Sequence, residues 1–573
     1  MQTETLSEAA ASRPALSVRG MVIGGIGAAV ITASSLYVAL KLGALPWPIV
    51  FAALVSLFFL KMLGKTSLNE ANVTHTAMSA GSMVAGGLAF TIPGYWMLEG
   101  SADIAFWQVL LIALSGVVLG LIATACVRRY FVDTTRLPYP IGVSAAESLL
   151  AANEAGALKS KTLFGSLGFA AAYAFLRDNL RVIPAMLFNT DKIPGVAFGI
   201  YNSPMLLAVG FMVGPIAVFV WFLGALIGDF GVMVAGTAAG LWDMAQAAAI
   251  KTSLGMGLML GAGVGVVAVQ IISLIRRGDK EGAAAEAAQP AEGAVPGKAQ
   301  AAALGQASAR EQILSTKARV IAAPLVSAAV ASLAAWALGL GLVPSVLLVA
   351  GTWIAILMSS QSAGATGINP MEVFGVLVLL VIQVFCHDLS MASLFFIAAI
   401  VAVACGLTGD VMNDFKAGAI LGTDPRDQWI AQAVGGIIGA VVASAVLVSL
   451  VSVFGTESFG PGKEFVAAQA SVVAAMVGGV PDIAWFVAGV AVGALLAAFK
   501  LPCMTLGLGV YLPFYLSFTA FLGGLIKVAY DRLARGRQAE SMGLAVASGV
   551  LGGESLIGVL AALVVMGMSF FGG

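Results

Sequence analysis

The sequence predicts an all-α membrane protein, and composition and hydropathy are the first two observations that predict it. Hydrophobic residues are 60% of the 573 residues and charged residues only 10%. A surface built from such a chain is poorly soluble in water, so the predicted class is an integral membrane protein. The apolar stretches are continuous rather than alternating, which favours helices over the strands of a membrane barrel.

An internal repeat is the third observation. Pro204 and Pro215 recur as Pro502 and Pro513, at an offset of 298 residues. A similar apolar hexapeptide follows each pair. Duplication with prolines that break equivalent helices is typical of secondary transporters. An even number of crossings between the copies predicts that the two halves run in the same direction, around a pseudo-two-fold axis near the membrane normal.

Uncharged runs define the predicted spans. At about 20 residues for each crossing, the chain holds about 15 to 17 of them. A polar, Ala-rich stretch between the two sets has little apolar periodicity and is predicted to be a linker. The predicted organisation is a cytoplasmic tail 1–18, a first transmembrane half 19–275, a cytoplasmic linker 276–319 and a second transmembrane half 320–573.

Basic residues orient the predicted spans. They cluster around Arg19, Lys61, Arg128, the 276–319 linker and the loop 527–537. Because lysine and arginine are enriched in cytoplasmic loops, these segments are predicted to lie inside the cell. The basic stretch Arg177 to Lys192 then falls outside, which is the weakest point of this topology.

Two asparagines stand where polar sequence turns into an apolar helix. Asn72 and Asn369 are both predicted to be N-caps, a position that asparagine favours. A plain structural cap is one interpretation. The other is that each caps a helix that begins inside the membrane, so that free N–H groups point at an anionic group of a substrate.

Several acidic or titratable residues fall within or beside apolar runs, where an ionisable side chain is costly and is usually paired or functional. His75, Glu372 and Glu554 are candidates for proton coupling, against the alternatives of packing, a helix dipole or an interfacial charge. Glu147 follows a proline-broken segment that is predicted to be re-entrant, and is a candidate for substrate binding. Pro204 and Pro502 are candidates for the same role, because a proline frees backbone carbonyls that need a wet or protein-lined cavity.

A third group borders a predicted span. Asp410, Asp414 and Lys416 can form a gate that closes through a lysine–carboxylate pair. The alternative interpretation is a solvated end of a loop.

Other patterns exclude functions. The sequence has no Walker A motif and no His-Glu-x-x-His motif, which argues against ATP hydrolysis and against a zinc protease. Its four cysteines stand singly, as packing residues do. We therefore predict no cofactor and no metal site, no nucleic-acid partner, and a protein that is not an enzyme. Assembly into a homo-oligomer stays open.

Five segments, taken together and in this order, resemble the oligopeptide transporter (OPT) family, in particular its prokaryotic members. They are Asn69–Ser82, Leu137–Gly142, Ser203–Gly210, Gly406–Lys416 and Gly549–Leu556. The resemblance implies about 16 helices in two pseudo-symmetric eight-helix halves with broken or re-entrant helices. It also implies proton-coupled import across the cytoplasmic membrane.

The expected function is therefore secondary active transport of short peptides or peptide-like solutes, with protons and membrane lipid as the other partners. A yellow-stripe-like importer of metal chelates is the alternative that the resemblance leaves open. A non-transporting membrane enzyme is an alternative of another class, and would show a fixed catalytic pair in one half only.

Overall fold

The structure is a computed structural model. It describes residues 14–43, 49–134, 137–155, 157–190, 193–284, 313, 316–366, 369–499, 501–534 and 536–571. Eight helices of this part are long and apolar enough to cross a membrane, and shorter apolar helices stand between them. The predicted all-α membrane class is confirmed.

The first part of the chain is helical with one small β-hairpin. Its helices are α1 (Val18–Leu42), α2 (Ile49–Met62), α3 (Leu68–Ala89), α4 (Ile92–Glu99), α5 (Phe106–Arg128), α6 (Pro140–Ala155), α7 (Ala157–Ala174), α8 (Pro204–Val213), α9 (Pro215–Ala225) and α10 (Met244–Ala284). Wider π-helical turns extend α5, α7 and α9 to residues 134, 179 and 236. Strands β1 (Met186–Thr190) and β2 (Phe198–Tyr201) pair antiparallel between α7 and α8, with an irregularity between Met186 and Phe188. The all-α prediction did not include this hairpin.

The second part of the chain is also helical. Its helices are α11 (Thr316–Trp336), α12 (Leu342–Thr366), α13 (Met371–Phe385), α14 (Met391–Leu421), α15 (Pro425–Phe454), α16 (Ala468–Gly478), α17 (Ile483–Ala498), α18 (Cys503–Tyr511), α19 (Phe514–Leu533) and α20 (Arg537–Phe571). The predicted linker 276–319 overlaps both α10 and α11. Its residues 285–312 and 314–315 lie outside the described residues.

Local sequence explains where several helices begin and end. Ser67 accepts a hydrogen bond from Glu70 N at the start of α3, and Ser390 accepts one from Ser393 N at the start of α14. These side chains satisfy N–H groups that have no partner within the helix. Gly422 ends α14 in the left-handed region (φ 76°), which glycine adopts without steric cost. Asp424 then caps α15 two residues later.

Helix α14 forms the centre of the molecule. Nearly all of its residues from Ser393 to Gly418 are buried. It runs antiparallel to α3, because Gly87 packs against Val403 and Gly406 packs against Met83. These glycines let the two backbones approach closely, as in tightly packed membrane helices.

The packing around α3 recurs around α14. On α3, Ala77 and Gly81 contact Gly435 and Gly439 of α15, so α3 and α15 run parallel. Helices α14 and α5 make close contacts at the same four-residue spacing: Ile400 contacts Gly116, and Ala404 contacts Gly120. These two helices therefore also run parallel.

Because α3 and α14 are antiparallel, the second set of contacts is an upside-down copy of the first. The prediction that the two halves run in the same direction was made for segments 298 residues apart, and it is wrong for α9 and α19, which follow Pro215 and Pro513 and run antiparallel. An inverted pair has its pseudo-two-fold axis in the membrane plane rather than along the membrane normal.

The prolines of the repeat do not kink a single membrane-spanning helix; they separate two helices. Helix α9 runs antiparallel to α19, since Val218 contacts Gly524 and Phe230 contacts Phe514. Helix α8 runs parallel to α19, since Leu207 contacts Gly523 and the Phe211 ring lies 5.4 Å from Lys527 Nζ. The chain therefore reverses direction between α8 and α9.

Glycine and proline make this reversal. Gly214 has a φ of 92°, a region that is strained for residues with a Cβ, and Pro215 begins α9. The second copy behaves alike: α18 runs parallel to α9 through the Gly224–Leu506 and Gly228–Val510 contacts. Each proline-broken segment is thus a pair of helices that run in opposite directions.

Candidate functional site

A buried polar cluster lies between α3, α14 and α15. Its members are His75, Ser79, Asp410, Asp414 and Gln432, all at most 3% exposed, and we call it the carboxylate cluster. Asp414 Oδ2 accepts hydrogen bonds from Ser79 Oγ at 3.0 Å and from Gln432 Nε2 at 3.4 Å. His75 Nδ1 lies 4.0 Å from Asp414 Oδ1.

The carboxylate cluster holds more hydrogen-bonding capacity than it uses. Both ring nitrogens of His75, Asp410 Oδ2 and Gln432 Oε1 have no hydrogen-bond partner among the described residues. An unpartnered buried polar atom costs about 1–3 kcal/mol, so such a group in a native structure needs an explanation. The two carboxylates lie one helical turn apart. A bound proton would relieve the repulsion between them.

Lys416 follows this cluster on α14. Its Nζ donates to Leu137 O, in the segment before α6, at 3.1 Å. Asp414 turns instead toward α3 and α15. These contacts do not form the lysine–carboxylate gate that was predicted from Asp410, Asp414 and Lys416. The alternative prediction, a solvated end of a loop, is wrong for both aspartates because their side chains are buried.

A second polar region encloses an open cavity of about 190 Å³, and we call it the ion-pair cavity. Helices α1, α8, α19 and α20, the extension of α7, strand β2 and the segment before α16 contribute to its wall. The lining residues with polar side chains are Tyr37, Lys41, Arg177, Tyr201, Ser203, Lys463, Glu464, Tyr515 and Glu554.

Arg177 and Glu554 form the buried side of the ion-pair cavity. Arg177 Nη2 donates to Glu554 Oε1 at 2.8 Å, and both side chains are less than 5% exposed. Asp178 accepts from Arg177 Nε and Nη2, each at 2.7 Å. A buried ion pair needs such additional hydrogen bonds to offset the cost of desolvation.

Lys41 and Glu464 form the open side. They make an ion pair in which Glu464 is 51% exposed. Lys41 Nζ also lies 5.8 Å from the centre of the Tyr37 ring, a distance that suits a cation–π interaction. The cavity thus presents cations, carboxylates and aromatic faces to one volume.

The two regions lie toward opposite faces of the helix bundle. Lys41 is next to the last residue of α1, whereas His75 is one to two turns from the start of α3. Helices α1 and α3 run parallel, since Gly20 and Gly24 of α1 contact Thr74 and Ala77 of α3. The carboxylate cluster is therefore near the face where Arg19 bonds Glu70, and the ion-pair cavity is near the other face.

Glu372 lies apart from both regions. It is buried in the first turn of α13, among Met259, Leu260, Val472 and Gln469. The preceding Asn369 does not cap α13, since Pro370 holds the cap position. Its Nδ2 donates to Cys405 O at 2.8 Å and its Oδ1 accepts from Ser359 Oγ.

Helix α13 begins inside the helix bundle. Met371, the first residue of α13, packs against Gly406. Gly406 is at the middle of α14, which has 31 residues. Helix α13 therefore begins halfway along its neighbour, and its first turn faces the protein interior.

Asn72 is not a cap. It is five residues inside α3, which Ser67 caps, and it is fully buried. Its Nδ2 donates to Thr423 Oγ1, in the turn between α14 and α15, at 3.0 Å. The predicted N-cap roles are wrong for both asparagines, because Ser67 and Pro370 hold the cap positions and the two amides donate to Thr423 Oγ1 and Cys405 O instead.

The remaining predicted residues are placed as follows. Glu147 is in α6, and its side chain lies outside the described residues. Pro204 is the first residue of α8, between the cavity-lining residues Ser203 and Met205. Pro502 precedes α18 and does not line the ion-pair cavity. The two proline-broken segments still share this cavity, since Met205 of α8 and Tyr515 of α19 both line it.

Sequence reasoning missed Arg177, Lys41 and Glu464 as site residues. Each stands at the edge of an apolar run, where a charge is ordinarily solvated. One feature of the sequence pointed to Arg177. The basic stretch that it begins was predicted to lie outside the cell, where lysine and arginine are less common than in cytoplasmic loops.

A bundle of membrane-length helices that holds buried charges around a cavity has the architecture of a membrane transporter. The family of OPT oligopeptide transporter proteins matches residues 15–565, and the chain belongs to this family. The family is one of transporters, not enzymes. A relative is 26% identical over 94% of this chain and 94% of its own length. That Haemophilus influenzae protein carries the provisional name of oligopeptide transporter.

Proposed function

We propose that this protein is a secondary active transporter that takes up short peptides or peptide-like solutes with protons across the cytoplasmic membrane. Family membership supports the substrate class, as does the name given to the Haemophilus influenzae relative. The basic ends of α1, α2 and α5 face the cytoplasm in this proposal, following the usual charge bias of membrane proteins.

The ion-pair cavity is the observation that carries the proposal. A short peptide is a zwitterion with one terminal carboxylate and one terminal ammonium group. Arg177 and Lys41 offer cations for the carboxylate, while Glu464 offers a carboxylate for the ammonium group. Tyr37, Tyr201 and Tyr515 add aromatic faces and hydroxyl groups for the peptide backbone and side chains.

The carboxylate cluster is the proposed proton site, with Glu372 and Glu554 as further members of the proton path. It offers unpartnered acceptors and a histidine, and histidine changes charge in the physiological range. Its position near the basic face, away from the cavity, suits a group that releases its proton to the cytoplasm. We assign a coupling role to Asp410 and Asp414 in place of the gate predicted from the sequence.

The proposed framework is a pair of eight-helix units in inverted orientation. Matched contacts of α3 with α15 and of α14 with α5 support it. In such transporters the substrate site lies between the two units, and one unit rocks against the other. The ion-pair cavity fits this rule, because helices α8 and α19 of opposite units both line it.

Uptake into liposomes tests the proposal. Purified protein is reconstituted and offered a mixture of labelled di- and tripeptides, with the lumen more alkaline than the outside. We expect peptide accumulation that collapses when a protonophore is added. Empty liposomes give the background. An iron–chelate complex offered in parallel tests the alternative substrate: accumulation of the chelate without the peptides would contradict the proposal, as would peptide accumulation that ignores the pH gradient.

A further inference from the structure

We propose that Glu554 occupies the place of the substrate carboxylate in the empty transporter, and that the two carboxylates exchange as Glu554 takes up a proton. The inference rests on the proposed function, since it assumes that the ion-pair cavity binds a peptide. It adds which groups hold the terminal carboxylate and why a proton must bind with it.

The Glu554 carboxylate is held by three donors from two elements. Oε1 accepts from Arg177 Nη2 at 2.8 Å and from Ser203 Oγ at 2.7 Å. Oε2 accepts from Met205 N at 2.8 Å, at the start of α8. A guanidinium, a hydroxyl and a helix N-terminal N–H are together the donors that bind a carboxylate best. All of them belong to residues of the cavity wall.

Glu554 itself comes from another helix. Helix α20 carries it past α8, and Ala547 of α20 lies in one buried cluster with Ala208 and Phe211 of α8. The carboxylate thus reaches a binding position formed by α7 and α8 rather than by its own neighbours in sequence. A carboxylate from a ligand in the cavity can reach the same donors, because Arg177, Ser203 and Met205 all line it.

Charge counting requires the proton. Arg177 already carries Asp178 on Nε and Nη2, so one guanidinium serves two carboxylates. Asp178 is 39% exposed and is therefore partly solvated, but a ligand carboxylate beside Glu554 would place two buried carboxylates on one guanidinium, which is costly. A proton on Glu554 removes one of these charges and turns the side chain from a competitor into a neutral neighbour.

Other charged or titratable groups face Glu554 from the elements packed around it, and the experiment must separate them from it. They are Arg177, Asp178, Tyr201, Tyr37, Lys41, Lys463, Glu464 and Tyr515. Of the acidic ones that line the cavity, Glu464 is half exposed and pairs with Lys41, so it is the matched control for Glu554.

Peptide retention by purified protein at several pH values tests the exchange. Wild type, Glu554→Gln and Glu464→Gln are each incubated at pH 5 and pH 8 with a mixture of di- and tripeptides, and the retained peptides are measured by mass spectrometry. A proton that is bound together with the peptide makes binding depend on pH, so wild-type affinity should rise at least tenfold from pH 8 to pH 5. Glu554→Gln should bind at pH 8 as wild type does at pH 5, while Glu464→Gln should keep the wild-type pH dependence.

The same peptides as C-terminal amides test the exchange in unaltered protein. They lack the competing carboxylate, so their retention should be weak and insensitive to pH. The inference is overturned if amides and acids bind alike, or if folded Glu554→Gln keeps the wild-type pH dependence. A wild type that retains no peptide at either pH would instead contradict the proposed function, and the inference with it.

Discussion

The ion-pair cavity and the carboxylate cluster bury charge in opposite ways. In the cavity, Arg177 is matched by Asp178 and Glu554, and Lys41 is matched by Glu464. In the cluster, two carboxylates share neutral donors and one histidine, and several polar atoms have no partner within the described residues.

This difference separates two kinds of chemistry. Matched charges around an open volume can be exchanged for the charges of a zwitterionic ligand at little electrostatic cost. Like charges in a packed site offer no room for a solute, and their imbalance is removed by a proton. The proposed coupled transport needs both kinds of site, and here they lie toward opposite faces.

The largest effect is expected from Arg177→Ala. The change leaves Glu554 as a buried carboxylate without its cation, which typically costs about 3–5 kcal/mol. We expect a large loss of thermal stability in detergent and no peptide uptake. Arg177→Lys is the control, because it keeps the charge without the planar pair of donors. A protein that tolerates alanine here would show that the cavity charges are effectively solvated.

The next effect concerns the carboxylate cluster. Asp414→Asn keeps the size of the side chain but removes a charge, so peptide accumulation driven by a pH gradient should fall at least tenfold. Uptake by wild type should rise as the outside pH falls, and this dependence should flatten in the variant. Peptide exchange without a gradient should survive. The same substitution at exposed Asp388 is the control, and an equal loss there would remove the distinction between the two regions.

A smaller effect tests the helix packing that frames the cluster. A Cβ on Gly439 would meet the Gly81 backbone, whereas one on Gly120 would lie 3.1 Å from Ala404 O. We expect Gly439→Ala to destabilise by about 1–3 kcal/mol, as overpacking does, and Gly120→Ala to cost less. Thermal unfolding in detergent measures both. The reverse order would mean that the α3–α15 contact is the looser of the two.

The smallest effect is expected at the open side of the cavity. Lys41→Gln breaks an ion pair whose carboxylate is half exposed, and such pairs contribute about 0–1 kcal/mol. Stability should therefore change little, while peptide affinity falls by about two- to fivefold. Glu464→Gln should give a similar change in stability. A loss as large as that of Arg177→Ala would show that both sides of the cavity are equally desolvated.

The sequence by itself determined the class and many of the helix ends. Continuous apolar runs can be satisfied in lipid only as helices, because every backbone group must then bond within the chain. Serine, aspartate and glycine at helix ends act on their own neighbours, as Ser390 and Gly422 show. The ordered motifs were enough to indicate the family.

Tertiary structure decided the directions of the helices and the membership of the sites. Charge bias and crossing counts placed the two proline pairs in parallel halves, yet α9 and α19, which follow Pro215 and Pro513, run antiparallel. The reversals at Gly214–Pro215 and Leu512–Pro513 are not visible in hydropathy, since a kinked span and a reversed pair of helices are equally apolar.

Tertiary structure also decided which residues form the sites. Asn72 and Asn369 have the composition of caps, but their amides bind Thr423 and Cys405, which are distant in sequence. Glu554 and Arg177 are 377 residues apart along the chain and 2.8 Å apart in space. Local patterns report interactions between near neighbours, whereas a buried charge is stabilised by whichever element the fold brings beside it, and only the packed bundle determines that.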